Sequence, residues 1–266
     1  MTRVASRRNP RYREVARLVA SSRDRRRSGR CILEGEHLVG VYLDRIGVPD
    51  TVVASEDALS RPGVAALVAR VPPSCALVVP QALFDDMAAL LPGVGIIAIA
   101  NAPVAQASGA GDLLLVVEAI QDPGNLGSML RSAAAFGVTE AWLSPECAFA
   151  WSPKVLRAGQ GAHFQLAIHE DQDLVAVVRS LKRGGTRVLA TVATDGKPID
   201  RARIAGRVAI AVGNEGAGLS APLRAEADEA VTIPMPGGTE SLNVAAATAI
   251  ALYEVARWRT TAAARR

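Results

Sequence analysis

The clearest hydrophobic and polar pattern lies in residues 233–254, which read IPMPGGTESLNVAAATAIALYE. Two prolines and a Gly-Gly pair predict a tight polar loop. The alanine-rich run that follows predicts a helix over residues 242–259. Ser241 and Asn243 stand at the junction, where their side chains can cap the helix and where unpaired N–H groups can hold a polar ligand. A proline-bounded loop that only caps a buried helix explains this segment equally well.

Upstream of that segment, apolar runs alternate with amphipathic ones. Strands without polar alternation are buried on both faces, so they predict a parallel sheet that is covered by helices. Ligands of such sheets bind beyond the carboxyl ends of the strands, where the loops 119–127, 213–219 and 234–241 fall. The predicted strands are 113–118, 139–143, 164–168, 187–192, 207–212 and 230–233, and the predicted helices are 128–136, 152–158, 174–183, 220–227 and 242–259.

The first hundred residues predict a separate, small α/β unit. Its predicted strands are 31–33, 51–54, 76–79 and 95–100, and its predicted helices are 11–20, 34–46, 64–71 and 81–91, with a polar basic turn over 21–30. A stretch rich in small residues, Gly and Pro predicts a linker. The predicted organisation is therefore residues 1–100, a linker 101–111, and residues 112–266.

Positive charge is concentrated in residues 1–30, which we call the basic arm. Eleven arginines against Glu14 and Asp24 give it a net charge of +9, and since the whole chain carries +4, the remainder sums to −5. A basic arm on a mildly acidic body indicates an acidic partner, with nucleic acid the first candidate. A solvated tail or an Arg-rich targeting peptide would have the same composition.

Cysteine usage and hydropathy exclude several classes of protein. Cys31, Cys75 and Cys147 are far apart and form no CxxC pair, so neither a disulfide framework nor a metal site is indicated. A reducing cytoplasm fits this usage. The arginine-rich N-terminus lacks the apolar core of a signal peptide, and no apolar run reaches the ~20 residues that cross a membrane.

The segment 213–218, GNEGAG, directly follows a predicted strand. Its glycines allow the backbone to approach a ligand closely. The order is GxxGxG rather than the GxGxxG of a nicotinamide-dependent oxidoreductase, and no acidic residue follows at the required distance. A plain glycine turn remains possible, but it does not account for Glu215.

Asn125 and Arg131 flank the start of the predicted helix 128–136. Asn125 can cap that helix, and an arginine near a strand's end can hold a phosphate with two hydrogen bonds. A surface salt bridge is the alternative for Arg131. His37, His163 and His169 have no partner at catalytic or ligand spacing, and Ser241 lacks the GxSxG elbow of a hydrolase.

Taken together and in this order, the segments 122–138 (DPGNLGSMLRSAAAFGV), 209–220 (AIAVGNEGAGLS) and 233–254 resemble the SpoU-type (TrmH-like) RNA 2′-O-methyltransferases of the SPOUT superfamily. Residues 6–39 are similar to the start of that family's N-terminal substrate-binding domain. The resemblance implies an α/β protein: a C-terminal parallel-sheet SPOUT domain with a deep trefoil knot, preceded by a small α/β RNA-binding domain.

The resemblance also implies site residues and a cofactor, S-adenosylmethionine. The implied catalytic arginine is Arg131, and Asn125, Glu215, Ser241 and Asn243 fall on the other catalytic motif positions. Alanine stands at position 245, where the family often has serine. The residues expected to bind the cofactor are Thr191, Ala193, Gly213, Asn214, Gly218, Ile233 and Leu242.

An RNA 2′-O-methyltransferase that acts on ribosomal RNA is the implied function. Transfer RNA is the alternative substrate, and a non-catalytic RNA-binding protein on the same fold is the alternative class. The resemblance implies a homodimer through the C-terminal domain, without a metal. RNA contact is expected from the basic arm through Arg7, Arg8, Arg11, Arg25, Arg26 and Arg27.

Overall fold

The computed structural model describes residues 1–87, 94–105, 111–202 and 204–263. Its contacts divide the chain into two compact units. The first comprises Met1–Pro103 with Trp151–Phe164, and the second comprises Val104–Ala150 with Gln165–Arg266. Residues 88–91 of one predicted helix and 106–110 of the predicted linker lie outside the described residues.

The first unit is built on a five-stranded mixed sheet. β5 is antiparallel to β2 and β3, and the other pairs are parallel. The strands are β1 (Thr2–Arg3), β2 (Arg30–Glu34), β3 (Thr51–Ser55), β4 (Ala76–Val79) and β5 (Ile96–Asn101), in the order β1-β4-β3-β5-β2. The helices are α1 (Pro10–Ala20), α2 (Ser22–Ser28), α3 (Gly35–Arg45), α4 (Pro62–Ala69) and α5 (Gln81–Met87).

The prediction of a turn over residues 21–30 is wrong, because α2 occupies most of it. Ser21 ends α1 and its hydroxyl accepts a hydrogen bond from Asp24 N, at 3.1 Å, which starts α2. Gly29, with φ of 63°, ends the helix in a left-handed conformation. The basic arm is therefore folded rather than extended, and Val15 and Leu18 of α1 belong to the core of this unit.

The second unit is built on a seven-stranded sheet whose pairs are all parallel, which confirms the predicted parallel sheet. The strands are β6 (Leu113–Val117), β7 (Glu140–Leu143), β8 (Ala167–His169), β9 (Arg187–Thr191), β10 (Lys197–Pro198), β11 (Val208–Val212) and β12 (Glu229–Thr232), in the order β10-β12-β9-β11-β6-β7-β8. The helices of this unit are α6 (Pro123–Ala135), α8 (Leu174–Arg183), α9 (Ala221–Glu226) and α10 (Val244–Ala263), whereas α7 (Pro153–Gly159) belongs to the first unit. The deep knot implied by the resemblance stays a prediction.

Two predicted boundaries in this part of the chain need correction. α6 begins at Pro123 rather than at residue 128, because Asp122 Oδ1 accepts a hydrogen bond from Asn125 N, at 2.7 Å, and proline suits the first helical position. The predicted strand 164–168 is short, since Ala162–Gln165 forms a 3₁₀ turn and β8 starts at Ala167.

Burial of the central strands positions the loops that follow them. Every residue of β6 and β11 is buried. β9 pairs with β11 on one side and with β12 on the other. The carboxyl ends of β9, β11 and β12 therefore lie side by side at one edge of the sheet. Within the described ranges, no helix combines the length and apolar character needed to cross a membrane.

We predict that Arg25 stabilises the first unit. Its side chain is buried, and Nη1 donates hydrogen bonds to the carbonyl oxygens of Leu18 and Val19 at 2.6 and 2.8 Å. Arg25→Met would leave these carbonyls without a partner and should lower the free energy of unfolding by about 1–3 kcal/mol, measured by urea denaturation. The matched variant Arg23→Met removes an exposed arginine and should be neutral. Equal stability of both variants would contradict the structural role of Arg25.

Candidate active site

A cavity of about 340 Å³ lies at the carboxyl ends of β9, β11 and β12. Its volume lies in the range of ~300–1,000 Å³ typical of small-molecule sites. The seven residues expected to bind the cofactor all line it. They are Thr191, Ala193, Gly213, Asn214, Gly218, Ile233 and Leu242. Two of the expected catalytic residues, Glu215 and Ser241, line it as well.

A tight loop over residues 213–218 forms one wall of the cavity. Asn214 and Gly218 exchange two backbone hydrogen bonds, at 3.1 and 2.9 Å, and Asn214 Oδ1 accepts from the N–H groups of Gly216 and Ala217. A Cβ atom on Gly213 would lie 2.2 Å from the carbonyl carbon of Gly218. Only glycine therefore fits at position 213. The main chain at Gly213 packs directly against the main chain at Gly218, and the two together form this wall of the cavity.

A chain of side-chain hydrogen bonds connects three elements beside the cavity. Asn243 Nδ2 donates to Asn125 Oδ1, and Asn125 Nδ2 donates to Glu215 Oε1, both at 2.9 Å. Asn243 Oδ1 accepts from the N–H groups of Ala245 and Ala246 and thereby caps α10. In each of these hydrogen bonds only one partner can donate. The hydrogen-bonded series therefore orients the Glu215 carboxylate relative to the starts of α6 and α10.

Asn214 connects the same loop to the end of β6. Its Nδ2 donates to the carbonyl oxygen of Ala119 at 2.9 Å. Ala119 has φ of 56°, a left-handed conformation that few non-glycine residues adopt, and its N–H donates to Ser144 Oγ at 3.0 Å. The backbone after β6 is thus held from both sides.

Arg131 is not part of this chain of hydrogen bonds. It lies on α6, its side chain is exposed, and it makes no hydrogen bond or ion pair to another residue in the described part of the chain. Glu215 does not hold Arg131 either, because its Oε1 accepts a hydrogen bond from Asn125 Nδ2 at 2.9 Å. The exposed guanidinium is available to an external anion or hydroxyl.

The arginines of the basic arm differ in their surroundings. Arg25 is buried and bonded to α1, so its position favours a structural role over contact with RNA. Arg7, Arg8, Arg26 and Arg27 are exposed, and Arg7 pairs with Asp86. Arg11 is half-buried and lines a second cavity, of about 660 Å³, in the first unit.

Sequence reasoning missed several residues of the first cavity. Ile199, Met235 and Glu240 line it without having been singled out. Glu240 directly precedes Ser241, so its place in the motif was a usable signal. Ile199 follows the two-residue strand β10, which no periodicity in the sequence indicates.

Burial makes two of the three cysteines poor nucleophiles. Burial raises the pKa of the Cys31 thiol to about 12, and burial also raises the pKa of the Cys147 thiol despite hydrogen bonds that oppose the shift. Both thiols therefore stay protonated near neutral pH. Among the described residues, no group of three or more His, Cys, Asp and Glu side chains could hold a metal ion.

The cavity lining fits S-adenosylmethionine. Apolar side chains from Ile199, Ile233, Leu242 and Val244 offer a surface for an adenine ring, and main-chain groups at three strand ends offer hydrogen bonds to its edge. The bare backbone at Gly213 allows a ligand to approach closely. These features suit a neutral adenosine moiety that is bound largely through the backbone.

Comparison with known proteins agrees with this site. Residues 112–253 match the SpoU rRNA Methylase family. The chain is 31% identical to the 23S rRNA (guanosine(2553)-2′-O)-methyltransferase RlmP of Bacillus subtilis, over 96% of this chain and 99% of that protein.

Solved structures agree as well. The crystal structure of an RNA 2′-O ribose methyltransferase superposes with a TM-score of 0.81 at 30% identity, covering 97% of this chain and all of that one. An AdoMet-bound rRNA methyltransferase from Sinorhizobium meliloti gives a TM-score of 0.80 at 25% identity, covering 97% of this chain and 98% of that one.

Fold, cavity and sequence together define an RNA methyltransferase. The chain belongs to the SpoU rRNA methylase family.

We predict that Gly213→Ala disrupts the cavity wall, because its Cβ would overlap the main chain at Gly218. The backbone shift should lower the free energy of unfolding by about 1–3 kcal/mol, measured by urea denaturation. Gly216→Ala is the matched control in the same loop, since a Cβ there meets only Asn214 Oδ1, at 3.7 Å. Equal stability of the two variants would show that the close approach at residue 213 is not needed.

Proposed function

We propose that this protein transfers a methyl group from S-adenosylmethionine to a ribose 2′-hydroxyl of RNA. One observation carries the proposal: residues from three separate loops, singled out as cofactor-binding from their motifs, line a single cavity. The hydrogen-bonded chain from Asn243 through Asn125 to Glu215 borders that cavity. A cofactor pocket and a set of oriented polar groups therefore lie together at one edge of the sheet.

The reaction mainly requires alignment. When bound, S-adenosylmethionine supplies an electrophilic methyl group on a sulfonium sulfur. With the cofactor and RNA bound, the ribose O2′ would form the new C–O bond as the C–S bond breaks, and the hydroxyl proton would leave to solvent or a neighbouring base. Alignment of the ribose O2′, the methyl carbon and the sulfur in one line contributes most of the acceleration in such a transfer. The protein must therefore hold the ribose and the cofactor in this relative orientation.

Arg131 orients the ribose hydroxyl or the adjacent phosphate. A guanidinium is normally protonated and donates hydrogen bonds in a planar fork. The exposure of Arg131 and its lack of bonds to other described residues support this role. The alternative, in which burial lets Arg131 accept the proton, would need a burial that the side chain does not have.

Asn125, Glu215, Ser241 and Asn243 position the reacting groups. Asn125 and Asn243 fix the direction of the Glu215 carboxylate through their paired amides. Ser241 lines the cavity next to Leu242 and supplies a hydroxyl at its rim. These contacts support positioning roles rather than proton transfer for the two asparagines.

Ribosomal RNA is the substrate class that we favour. The Bacillus subtilis relative, which matches 96% of this chain, is named as a 23S rRNA methyltransferase. The family is described as an rRNA methylase family. Transfer RNA is the second candidate within the class. A binding protein without catalysis is disfavoured, since the polar residues beside the cavity form a complete hydrogen-bonded chain.

The protein acts as a cytoplasmic homodimer in this proposal. α10 exposes the large apolar side chains of Ile250, Tyr253 and Trp258, and an exposed apolar group of this kind suits a protein interface. A second copy that packs against α10 would cover it. Sedimentation analysis of the isolated protein distinguishes a dimer from a monomer.

The experiment that tests the proposal is methyl transfer from labelled S-adenosylmethionine to RNA from cells that lack this protein, followed by mapping of 2′-O-methyl sites. Label at one ribosomal RNA position supports the proposal in full. Label confined to transfer RNA keeps the reaction and changes the substrate. Absence of label from free RNA and from ribosomal particles, despite cofactor binding, would overturn the enzymatic proposal.

Two substitutions of Asn243 distinguish its role in capping α10 from its role in positioning Asn125. Asn243→Asp keeps an oxygen that can cap α10, but its second oxygen faces the acceptor Asn125 Oδ1. Its free energy of unfolding should therefore fall, though by less than the ~1 kcal/mol expected for Asn243→Ala, which loses the cap. Both variants lack the donor to Asn125, so both should lose methyl-transfer rate by about tenfold or more. A full rate in Asn243→Asp would show that the bond to Asn125 is not required.

Exposed arginines of the basic arm should contribute to RNA affinity through phosphate contacts. The double variant Arg8→Gln, Arg27→Gln should weaken RNA binding and reduce the slope of log affinity against log salt by about 1.4–1.8, measured by fluorescence anisotropy. The double variant Arg183→Gln, Arg201→Gln removes two exposed arginines from the second unit and is the matched control. An equal loss in both double variants would contradict a specific role for the basic arm.

A further inference from the structure

The ionisable side chains that line the cavity are all acidic. Glu215 and Glu240 supply carboxylates, and no Lys, Arg or His side chain is among the described residues of the lining. Adenosine-containing ligands differ mainly in the charge attached at the 5′ position of the ribose. A pocket with two carboxylates and no cation repels phosphorylated adenosines and attracts a cationic one.

The two carboxylates differ in their availability. Glu215 accepts hydrogen bonds from Asn125 Nδ2 at 2.9 Å and from Asn214 Nδ2 at 3.5 Å. Glu240 is exposed and makes no hydrogen bond or ion pair with any other residue that the structure describes. Glu215 is therefore engaged in holding the loop, and Glu240 can respond to a ligand's charge.

The position of Glu240 in the chain determines which part of a cofactor it can reach. Leu242, two residues further on, belongs to the apolar surface that suits the adenine ring. In S-adenosylmethionine the sulfonium is bonded directly to the 5′ carbon of that adenosine. Because Glu240 and Leu242 line the same cavity, the Glu240 carboxylate is suited to interact with a positive charge that is attached directly to the adenosine.

We infer that Glu240 is a specificity-determining residue that recognises the positive sulfonium of the methyl donor. The inference rests on the proposed function, since it assumes that the cavity binds S-adenosylmethionine. The product, S-adenosylhomocysteine, has the same adenosine and amino acid groups but a neutral sulfur. Glu240 therefore favours the substrate form of the cofactor, and its attraction disappears when the methyl group has been transferred.

This charge selection has a consequence for turnover. A pocket that held only the adenosine would bind cofactor and product equally, and the product would compete with each new cofactor molecule. Glu240 attracts the sulfonium, which only S-adenosylmethionine carries. It therefore favours replacement of the bound product by a new cofactor molecule. Glu240→Gln keeps the size of the side chain and its polar character but removes the charge.

The test is isothermal titration calorimetry of S-adenosylmethionine and S-adenosylhomocysteine with the full-length wild type, Glu240→Gln and Asp171→Asn. Asp171 is an exposed acidic residue outside the cavity lining, and asparagine also tolerates its left-handed backbone, with φ of 56°. Glu240→Gln should bind S-adenosylmethionine about fivefold more weakly and leave the affinity for S-adenosylhomocysteine unchanged. Asp171→Asn should change neither affinity.

A salt titration provides a second measurement that needs no variant. An exposed ion pair is screened by salt, so the wild-type preference for S-adenosylmethionine over S-adenosylhomocysteine should shrink as ionic strength rises. The preference of Glu240→Gln should depend less on salt, since only the Glu215 carboxylate remains in the lining. An equal loss of affinity for both ligands in Glu240→Gln would assign the residue to a group that they share and would overturn the inference. Unchanged affinity for both would also overturn it. If the wild type bound neither ligand, the proposed function itself would fail.

Discussion

The close approach of two stretches of main chain, at Gly213 and Gly218, is the constraint on which the site depends. A Cβ at residue 213 would overlap backbone atoms of Gly218 and Leu219, so the loop after β11 can fold back only because glycine stands there. Folding back brings Asn214 and Glu215 to the edge of the cavity. The side chain of Asn214 then closes the loop from within and reaches the backbone after β6. One close packing contact thereby fixes the wall of the pocket and the polar groups beside it.

The site contains two kinds of polar residue: some are held in place by hydrogen bonds to one another, and others are exposed and available to ligands. Asn125, Asn243 and Glu215 satisfy one another, and Asn243 also caps α10. Arg131 and Glu240 make no such bonds within the described part of the chain. This division suits a transfer reaction in which alignment supplies most of the acceleration. In our proposal the hydrogen-bonded residues hold the geometry, and two exposed charges of opposite sign are left to interact with the RNA and with the cofactor.

Local sequence signals predict much of the fold, whereas the choice of site residues follows from the resemblance to the family. Continuous apolar strands predict the parallel sheet, and because parallel strands end at a common edge, they place the loops 119–127, 213–219 and 234–241 there. These loops follow β6, β11 and β12, whereas the part played by the segment after β9 is implied only by the resemblance. Other features depend on tertiary contacts that the sequence does not display. Arg25 looked like a surface cation, and its burial depends on two carbonyls at the end of α1. The sequence predicts too late a start for α6, because Pro123 and Gly124 are typical of a loop and the capping contact of Asp122 is a feature of the folded chain. The order β12-β9-β11 joins strands that are not neighbours along the chain, and no local pattern encodes it.

The most direct test of the account is hydrogen–deuterium exchange of the full-length protein with and without S-adenosylmethionine. The account predicts that the cofactor slows exchange in the three segments that line the cavity, residues 191–193, 212–218 and 231–242, and leaves the first unit unchanged. Protection confined to other segments, or no protection at a saturating cofactor concentration, would contradict the claim that this cavity binds the methyl donor.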